Sequence, residues 1–301
     1  NHPDYGAELW RSNGTVEGTW LVSDLVPGAG DGFSASPQAA QSFIQMGANV
    51  YFRSGSGHLW RTDGTPSGTQ KIATLLVAGA NSTGQYMAVI NDTLYFSAAN
   101  NNSDQELWRS DGTPDGTMLL RDIRPGTTGS APSHLVVVGS TLYFSANDGI
   151  SGVEIWKSDG TASGTQLVRD IAAGASSSNP RYLLPFDNAV LFAATDAASG
   201  EELWRSDGTI DGTRRVRDIR VGTAASSPAN LVTFNQRVYF RADNGVVGYE
   251  LWSTDGTEGG TSLVRDLNVG APPSISVDPD FRSTSDWLYF HGRTSNFCVF
   301  R

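Results

Sequence analysis

Residues 154–171 read EIWKSDGTASGTQLVRDI, and similar stretches return along the whole chain of 301 residues. The tryptophan of each copy stands at position 10, 60, 108, 156, 204 or 252. The spacing between these tryptophans is 50 residues once and 48 residues four times. A fixed period of this length is the sequence signature of a repeat architecture.

One period contains four short runs that are rich in β-branched and aromatic residues. In the period that ends at Ile171, the runs are residues 133–138, 141–145, 153–157 and 165–169. Gly, Asn, Asp and Ser bound each run, which is typical of β-strands separated by turns. Apolar residues do not recur at helical spacing over a helix-length window.

Four strands in about 48 residues predict one blade of a β-propeller in each period. We name the strands A to D, from the centre outward. The A–B and C–D turns then lie on one face of the molecule. The B–C loops and the D-to-A linkers, such as residues 124–129, lie on the other, which we call the top face.

The two ends of the chain each supply part of a blade. Residues 7–25 hold only a C and a D strand, five complete sets follow, and an A–B pair is predicted near 275–277 and 287–290. The sequence therefore predicts an all-β fold with one domain over residues 1–301. That domain is a six-bladed β-propeller of four-stranded antiparallel blades, closed by pairing of the N- and C-terminal strands. Closure of this kind removes an open sheet edge.

The last residues fit this scheme less well. Residues 297–301, which include the single cysteine Cys298, look like a further C strand. Either this tail packs elsewhere, or the chain is a fragment of a longer array. One cysteine allows no internal disulfide and no cysteine metal site.

Charge and hydropathy exclude several classes of partner. The net charge is −10 and the pI about 4.8, which argues against binding to nucleic acid or to anionic membrane surfaces. No apolar run approaches the ~18 residues that a membrane span needs, so no membrane insertion is predicted. No signal peptide is visible; if the protein is exported, the signal has been removed or lies outside this sequence.

The repeated motif is Glu-Leu-Trp-x-x-Asp-Gly-Thr followed by Gly-Thr three residues later, and its copies span residues 8–267. This motif resembles the bacterial ELWxxDGT repeat family, which occurs in large exported proteins. His58 and Asn13 depart from the pattern in the first two copies. The resemblance implies repeats and an extracellular or cell-surface location, and it implies no activity.

The recurring residues have structural interpretations. The turn aspartates, such as Asp159, are expected to accept hydrogen bonds from backbone N–H groups two or three residues on. The repeated tryptophans are expected to be core residues, each removing ~150–250 Å² from water. Arg121 and Asp122 end a D strand opposite Glu106, so cross-strand ion pairs are expected there.

The sequence contains no Gly-x-Ser-x-Gly, phosphate-loop or His-Glu-x-x-His motif, and no catalytic residue is predicted. The leading hypothesis is a noncatalytic, lectin-like binding or scaffold module of an exported bacterial protein, engaging a glycan or a protein through the top face. One alternative is a glycan-processing enzyme with its site at the channel mouth. Another is a purely structural subunit of a larger surface assembly.

A calcium hypothesis follows from the B–C loops, where a carboxylate precedes the Glu that opens strand C. Oxygen ligands on flexible loops suit Ca²⁺, although the spacing within the pairs varies between copies. Ordinary acidic turn residues in solvated loops are the alternative interpretation. The predicted ligands are Asp104 with Glu106, Asp148 with Glu154, Asp196 with Glu201 or Glu202, Asp243 with Glu250, and Asp4 with Glu8.

Overall fold

The computed structural model describes residues 4, 6–33, 43–77, 86–99, 104–267, 275 and 281–292. The described part contains only strands, turns and loops, and thus no helix that could span a membrane. The chain divides into two compact units. The first comprises residues 1–149 and 158–165, and the second comprises residues 150–157 and 166–301. The prediction of one domain over residues 1–301 stays a prediction.

The described residues up to position 149 form thirteen strands. They are β1 Leu9–Arg11, β2 Trp20–Ser23, β3 Ile44–Met46, β4 Asn49–Arg53, β5 Leu59–Thr62, β6 Gln70–Ala73, β7 Leu76–Val77, β8 Met87–Ile90, β9 Thr93–Ala99, β10 Gln105–Ser110, β11 Met118–Arg121, β12 Ser133–Val138 and β13 Thr141–Asn147.

The described residues from position 150 onward form twelve more strands. They are β14 Val153–Ser158, β15 Gln166–Arg169, β16 Arg181–Phe186, β17 Ala189–Asp196, β18 Gly200–Ser206, β19 Arg214–Arg217, β20 Ala229–Phe234, β21 Arg237–Asp243, β22 Tyr249–Thr254, β23 Ser262–Arg265, β24 Arg282–Ser283 and β25 Leu288–Tyr289.

Within the described residues these strands form seven sheets. Four sheets follow chain order, as predicted for strands A to D: β3–β6, β12–β15, β16–β19 and β20–β23. In a fifth sheet the order is β11-β10-β9-β7, and β8 also pairs with β9. The described pairs are antiparallel, for example β10 with β11. Repeated four-stranded antiparallel sheets are thus confirmed.

The repeats share register as well as strand order. A bulge interrupts each C–D pair at the tryptophan, as between Leu107 and Trp108 and between Leu203 and Trp204. A second bulge interrupts three of the described A–B pairs, namely β12–β13, β16–β17 and β20–β21, as between Arg181 and Leu184. A β-bulge increases local twist and re-aims side chains, so the described C–D pairs present equivalent positions in the same directions.

The core of each unit lies where successive sheets face one another. In the first unit Met46, Leu59, Leu94 and Phe96 are buried in one cluster with Trp108. In the second unit Leu191, Leu203, Val238 and Phe240 are buried with Trp252. Alternate residues of each strand enter these clusters, because successive side chains of a strand point to opposite faces.

The terminal strands form two small sheets. β1 pairs with β2, and β24 pairs with β25. The partner of β25 is therefore residues 282–283, whereas a strand near 275–277 was predicted. Ile275 makes a single bridge to Gly292, and residues 276–277 and 297–301 lie outside the described residues. Among the described residues β1–β2 and β24–β25 are separate sheets, so six blades and closure are not shown.

Candidate functional site

The glutamate that opens strand C is an internal structural residue. Glu154 is fully buried, and its carboxylate accepts hydrogen bonds from the backbone N–H groups of Ile171 at 3.1 Å, Ala172 at 3.2 Å and Ser178 at 2.9 Å. The hydroxyl of Ser178 donates to the same carboxylate at 2.5 Å. The first and last residues of the segment 171–178 both donate to the Glu154 carboxylate. Glu154 therefore fixes the path of the D-to-A linker.

The same arrangement recurs in other copies. Glu106 accepts from the N–H groups of Ile123 and Ser130, and Glu202 accepts from the N–H of Ile219 and the hydroxyl of Ser226. In the first copy Glu8 accepts from the N–H groups of Leu25 and Gly32, and Glu250 accepts from the N–H of Leu267. The role was not predicted, because the partners lie 17 and 24 residues after the glutamate.

Burial raises the pKa of the carboxyls of Glu106, Glu154 and Glu202, and their hydrogen bonds offset part of that rise. Desolvation disfavours the ionised form of a carboxyl, and donors to the carboxylate favour it. Because burial and these hydrogen bonds exist only in the folded protein, protonation of each of these three carboxyls is coupled to folding.

The Ser-Asp-Gly-Thr turns have the predicted structural role. Asp111 Oδ1 accepts from the N–H of Thr113 at 2.9 Å and from its hydroxyl at 2.7 Å, and these bonds lower the pKa of the Asp111 carboxyl. Asn13 accepts the same two bonds from Thr15. Gly116 is required in this turn, since a Cβ there would lie 2.0 Å from the Asp111 carboxylate.

Basic side chains join each repeat to the turn of the next. Arg61 donates to the carbonyl of Gly112 at 2.8 Å, and Lys157 donates to that of Gly208 at 2.7 Å. Arg121, at the end of strand D, donates to the carbonyl of Thr165 at 2.6 Å. The expectation of an ion pair between Arg121 and Glu106 is therefore corrected: the arginine binds the next repeat, and Glu106 binds the linker.

Most of the repeated tryptophans are core residues, as predicted. Trp108, Trp156, Trp204 and Trp252 are buried, and Trp60 is half-buried. The expectation is wrong for Trp10, which is 46% exposed. In the full sheets a strand-B phenylalanine is paired with the tryptophan, as Phe96 is with Trp108, whereas among the described strands β1 is paired with β2 alone.

Of the aspartates of the calcium hypothesis, Asp4 is exposed, and Asp104, Asp148, Asp196 and Asp243 are half-buried. Asp196 accepts from the N–H groups of Ala198 and Ser199. Asp243 accepts from Arg220 Nη1 at 2.8 Å and from the N–H of Gly245 at 2.7 Å. No group of three or more His, Cys, Asp or Glu side chains in the described part is placed to hold a metal ion. The calcium hypothesis stays a prediction.

A polar cluster on the top face of the second unit comprises Arg181, Glu201, Arg241 and Tyr249. Arg181 Nη2 lies 2.6 Å from Glu201 Oε2, and the guanidinium of Arg241 lies over the ring of Tyr249, 4.0 Å from its centroid. Burial raises the pKa of the Glu201 carboxyl, and the charges of Arg181 and Arg241 partly oppose that rise. The fractions of side-chain surface exposed are 44% for Arg181 and 11% for Glu201.

These four residues differ from the residues at the equivalent positions one period earlier. One period earlier, Val153 stands for Glu201, Ser133 for Arg181 and Ala193 for Arg241, and Glu201 itself stands for Tyr249. Glu201 was predicted only as a calcium ligand, and the other three were missed. Comparison of equivalent positions between repeats could have found them, because residues that serve the fold recur and residues with a local task do not.

Exposed apolar residues occur in loops of the second unit. Val221 in a D-to-A linker and Val246 in a B–C loop are 86% and 85% exposed. The Arg220–Asp243 ion pair, at 2.8 Å, joins this linker to this loop. These loops of the second unit therefore carry exposed apolar side chains and a charged pair.

The fold and this site define an all-β protein built from propeller-like four-stranded sheets. No protein-family model matches the chain, and no curated protein matches it.

Solved structures are similar to the chain at low identity. A puromycin-hydrolysing peptidase of Mycobacterium tuberculosis is 15% identical over 83% of this chain and 41% of its own, with a TM-score of 0.50. The computationally designed Ika8 protein is 17% identical over 91% and 73%, with a TM-score of 0.48. BamB from Moraxella catarrhalis is 16% identical over 82% and 68%, with a TM-score of 0.42. The chain spans less than half the length of the peptidase, and the likeness bears on fold alone.

Proposed function

We propose that the chain is a noncatalytic binding or scaffold module of an exported bacterial protein, and that it engages a glycan or a protein through the top face. The observation that supports this proposal is the cluster of Arg181, Glu201, Arg241 and Tyr249, where the repeat is broken. Arginine, glutamate and tyrosine side chains supply the hydrogen-bond donors and acceptors that recognise hydroxyl and amide groups.

The repeated polar residues are engaged within the fold, whereas this cluster offers groups to a ligand. Glu154 binds a linker and Asp111 binds its own turn. Arg181 is partly exposed next to the buried Glu201. A guanidinium held by one buried carboxylate keeps further N–H groups for a ligand, because it carries five donors.

Glycan processing is the second candidate, and the raised pKa of the Glu201 carboxyl favours it. A carboxyl with a raised pKa in a polar site is suited to general acid catalysis. Most glycosidases, however, use a pair of carboxyl groups, and the cluster of Arg181, Glu201, Arg241 and Tyr249 contains one. We therefore propose binding ahead of hydrolysis.

The proposal includes the ELWxxDGT repeat family, an extracellular or cell-surface location and membership of a larger assembly. It also includes closure into six blades by pairing of β1 and β2 with the C-terminal strands. Two observations support closure. β1 and β2 have the bulged register of strands C and D. The N–H of Ile275 donates to the carbonyl of Tyr249 at 3.1 Å, as the N–H of Asn179 does to the carbonyl of Val153 two repeats earlier.

A glycan array with the purified chain, run with calcium and with chelator, tests the binding proposal. We expect selective retention that Arg181→Ala abolishes and that the exposed D-strand control Arg214→Ala preserves. Release of reducing ends from the retained glycan, lost in Glu201→Gln, would support processing instead. Absence of both glycan and protein ligands, the latter sought by crosslinking at the position of Val246, would contradict the proposal and favour a purely structural subunit.

A further inference from the structure

The same binding position for an arginine guanidinium, which we call the guanidinium seat, recurs between neighbouring repeats. Arg121 Nη1 donates to the carbonyls of Ala162 at 3.0 Å and Thr165 at 2.6 Å, which lie 41 and 44 residues later. Arg169 donates to Ile210 at 3.4 Å and Thr213 at 2.6 Å. Each arginine thus places its head group against two carbonyls of the following Ser-Asp-Gly-Thr turn, which accept charge-assisted hydrogen bonds.

The arginine is absent at two positions of the first unit, where the register places Ser23 and Ala73, and a pocket lies at Ala73. The strand register makes Ala73 the counterpart of Arg121, since Ala73 is opposite Leu59 as Arg121 is opposite Leu107. The residues 41 and 44 positions after Ala73 are Pro114 and Thr117. A methyl side chain has no donor for their carbonyls and leaves the volume of an arginine side chain empty.

A shallow, solvent-open cavity of about 400 Å³ lies at this place. Its walls include Ala73 and Trp108, together with Pro114 and Thr117, the two residues whose carbonyls the missing arginine would reach. Exposed Thr74 is also part of the wall, so the cavity opens to solvent. Its volume is within the ~300–1,000 Å³ range of small-molecule sites.

We propose that this cavity binds a guanidinium group, such as that of an arginine side chain or a small alkylguanidine. The occupant is inferred from Arg121 and Arg169, which fill the equivalent seats of the same chain. A planar guanidinium reaches two carbonyls at once and packs against aromatic walls, whereas an ammonium is a compact, strongly hydrated charge. The net charge of −10 favours a cationic ligand.

Lys71 is the competing occupant, because it also lines the cavity. Lys71 is an exposed residue, and its positive charge repels an incoming cation. Replacement of Lys71 by glutamine removes this repulsion while keeping the length of the side chain close to that of lysine. The proposal therefore predicts tighter guanidinium binding in Lys71→Gln than in the wild type.

The site is separate from the polar cluster of the second unit. Guanidinium binding at this site requires neither a glycan nor calcium. The two proposals are therefore independent, and failure of ligand binding at the top face would not contradict guanidinium binding in the cavity. Occupation by a partner's arginine would make the cavity a protein-docking site, and occupation by a free alkylguanidine would make it a small-molecule site.

Calorimetry with ethylguanidinium, with an N-acetylarginine amide and with ethylammonium at equal ionic strength tests the proposal. We expect both guanidinium probes to bind, ethylammonium to bind more weakly, and the amide signals of Ala73 and Thr117 to shift in NMR spectra. Preference for the arginine amide over ethylguanidinium would indicate the peptide source. The variant Ala73→Arg fills the seat and should weaken binding by about tenfold or more, as expected for loss of charge-assisted hydrogen bonds.

Arg121→Ala gives a second, independent measurement that does not need Ala73→Arg to fold. This variant creates the same seat at Ala162 and Thr165, and its lowered melting temperature should be restored by millimolar ethylguanidinium and not by ethylammonium. The proposal is overturned if neither the wild type nor Lys71→Gln binds a guanidinium probe, or if Ala73→Arg binds as well as the wild type. Absence of rescue in Arg121→Ala would also overturn it, since external guanidinium would then not use this seat.

Discussion

The hydroxyl of Ser178 lies 2.5 Å from Oε2 of Glu154, although 24 residues separate them in the chain. This bond, with the three backbone N–H groups on the same carboxylate, holds the linker from strand D to the next strand A. The repeat therefore uses its glutamate to fix where one sheet ends and the next begins.

Replacement of Glu154 by glutamine should destabilise the fold. The carboxylate accepts on both oxygens, and a glutamine nitrogen cannot accept the N–H of Ile171. One unsatisfied buried donor costs about 1–3 kcal/mol. Thermal and urea unfolding measure the change in stability. The control is Glu258→Gln, the same substitution at an exposed turn residue. Equal loss of stability in both variants would contradict the role of Glu154.

The stability contribution of Glu154 should depend on pH. Its pKa is raised above the ordinary value of 4.5, so the folded state binds the proton more tightly than the unfolded state. This contribution to stability is fully present at pH values below 4.5, and it is lost as the pH rises through the raised pKa of the folded state. The difference in melting temperature between wild type and Glu154→Gln should thus be larger at pH 5 than at pH 8. A difference that grows with pH would refute the sign of this coupling.

Replacement of Asp111 by alanine should weaken folding and spare ligand binding. The substitution removes both bonds from Thr113, and we expect the melting temperature to fall by roughly 2–4 °C. Because the pKa of Asp111 is lowered, its contribution is present above the ordinary value and lost as pH falls through the lowered pKa. Asp115→Ala in the same exposed turn is the matched control. Loss of ligand at an unchanged melting temperature would show that Asp111 has a binding role.

Deletion of residues 1–25 should cause aggregation or unfolding. The deletion removes β1 and β2, whose Leu9 and Val22 are buried with Phe33 and Phe52, and it exposes a sheet edge if the ends close the fold. Size-exclusion chromatography and thermal unfolding measure the outcome, with deletion of residues 1–4 as the control. A longer deletion that stays monomeric and equally stable would rule out closure.

The calcium hypothesis predicts heat on titration with Ca²⁺ and a melting temperature that falls in chelator. Ca²⁺ takes six to eight oxygen ligands, so the double variant Asp148→Asn with Asp243→Asn should lose much of the heat. Binding is expected in the blades with paired acids and not beside His58. With neither heat nor a thermal shift, the loops would be plain connections.

The sequence by itself determined the repeat, the four strands of each period and the role of the Asp-Gly-Thr turns. These features depend on local chemistry: alternation along a strand, positive φ at Gly112 (φ 92°), and a carboxylate that reaches a backbone N–H two residues away, as in Asp111. The exposure of Trp10 was not predicted, because Glu8, Leu9 and Trp10 are the same residues as in the buried copies that begin at Glu106 and Glu202.

Only the tertiary structure decided which residues meet across strands and repeats. Glu154 and Ser178 come together because strand C and the returning linker lie side by side. Arg181, Glu201, Arg241 and Tyr249 stand on four different strands, and the cavity at Ala73 exists because the next repeat presents Pro114 and Thr117 to it. Such contacts depend on the packing of one sheet against another, which a one-dimensional period does not specify.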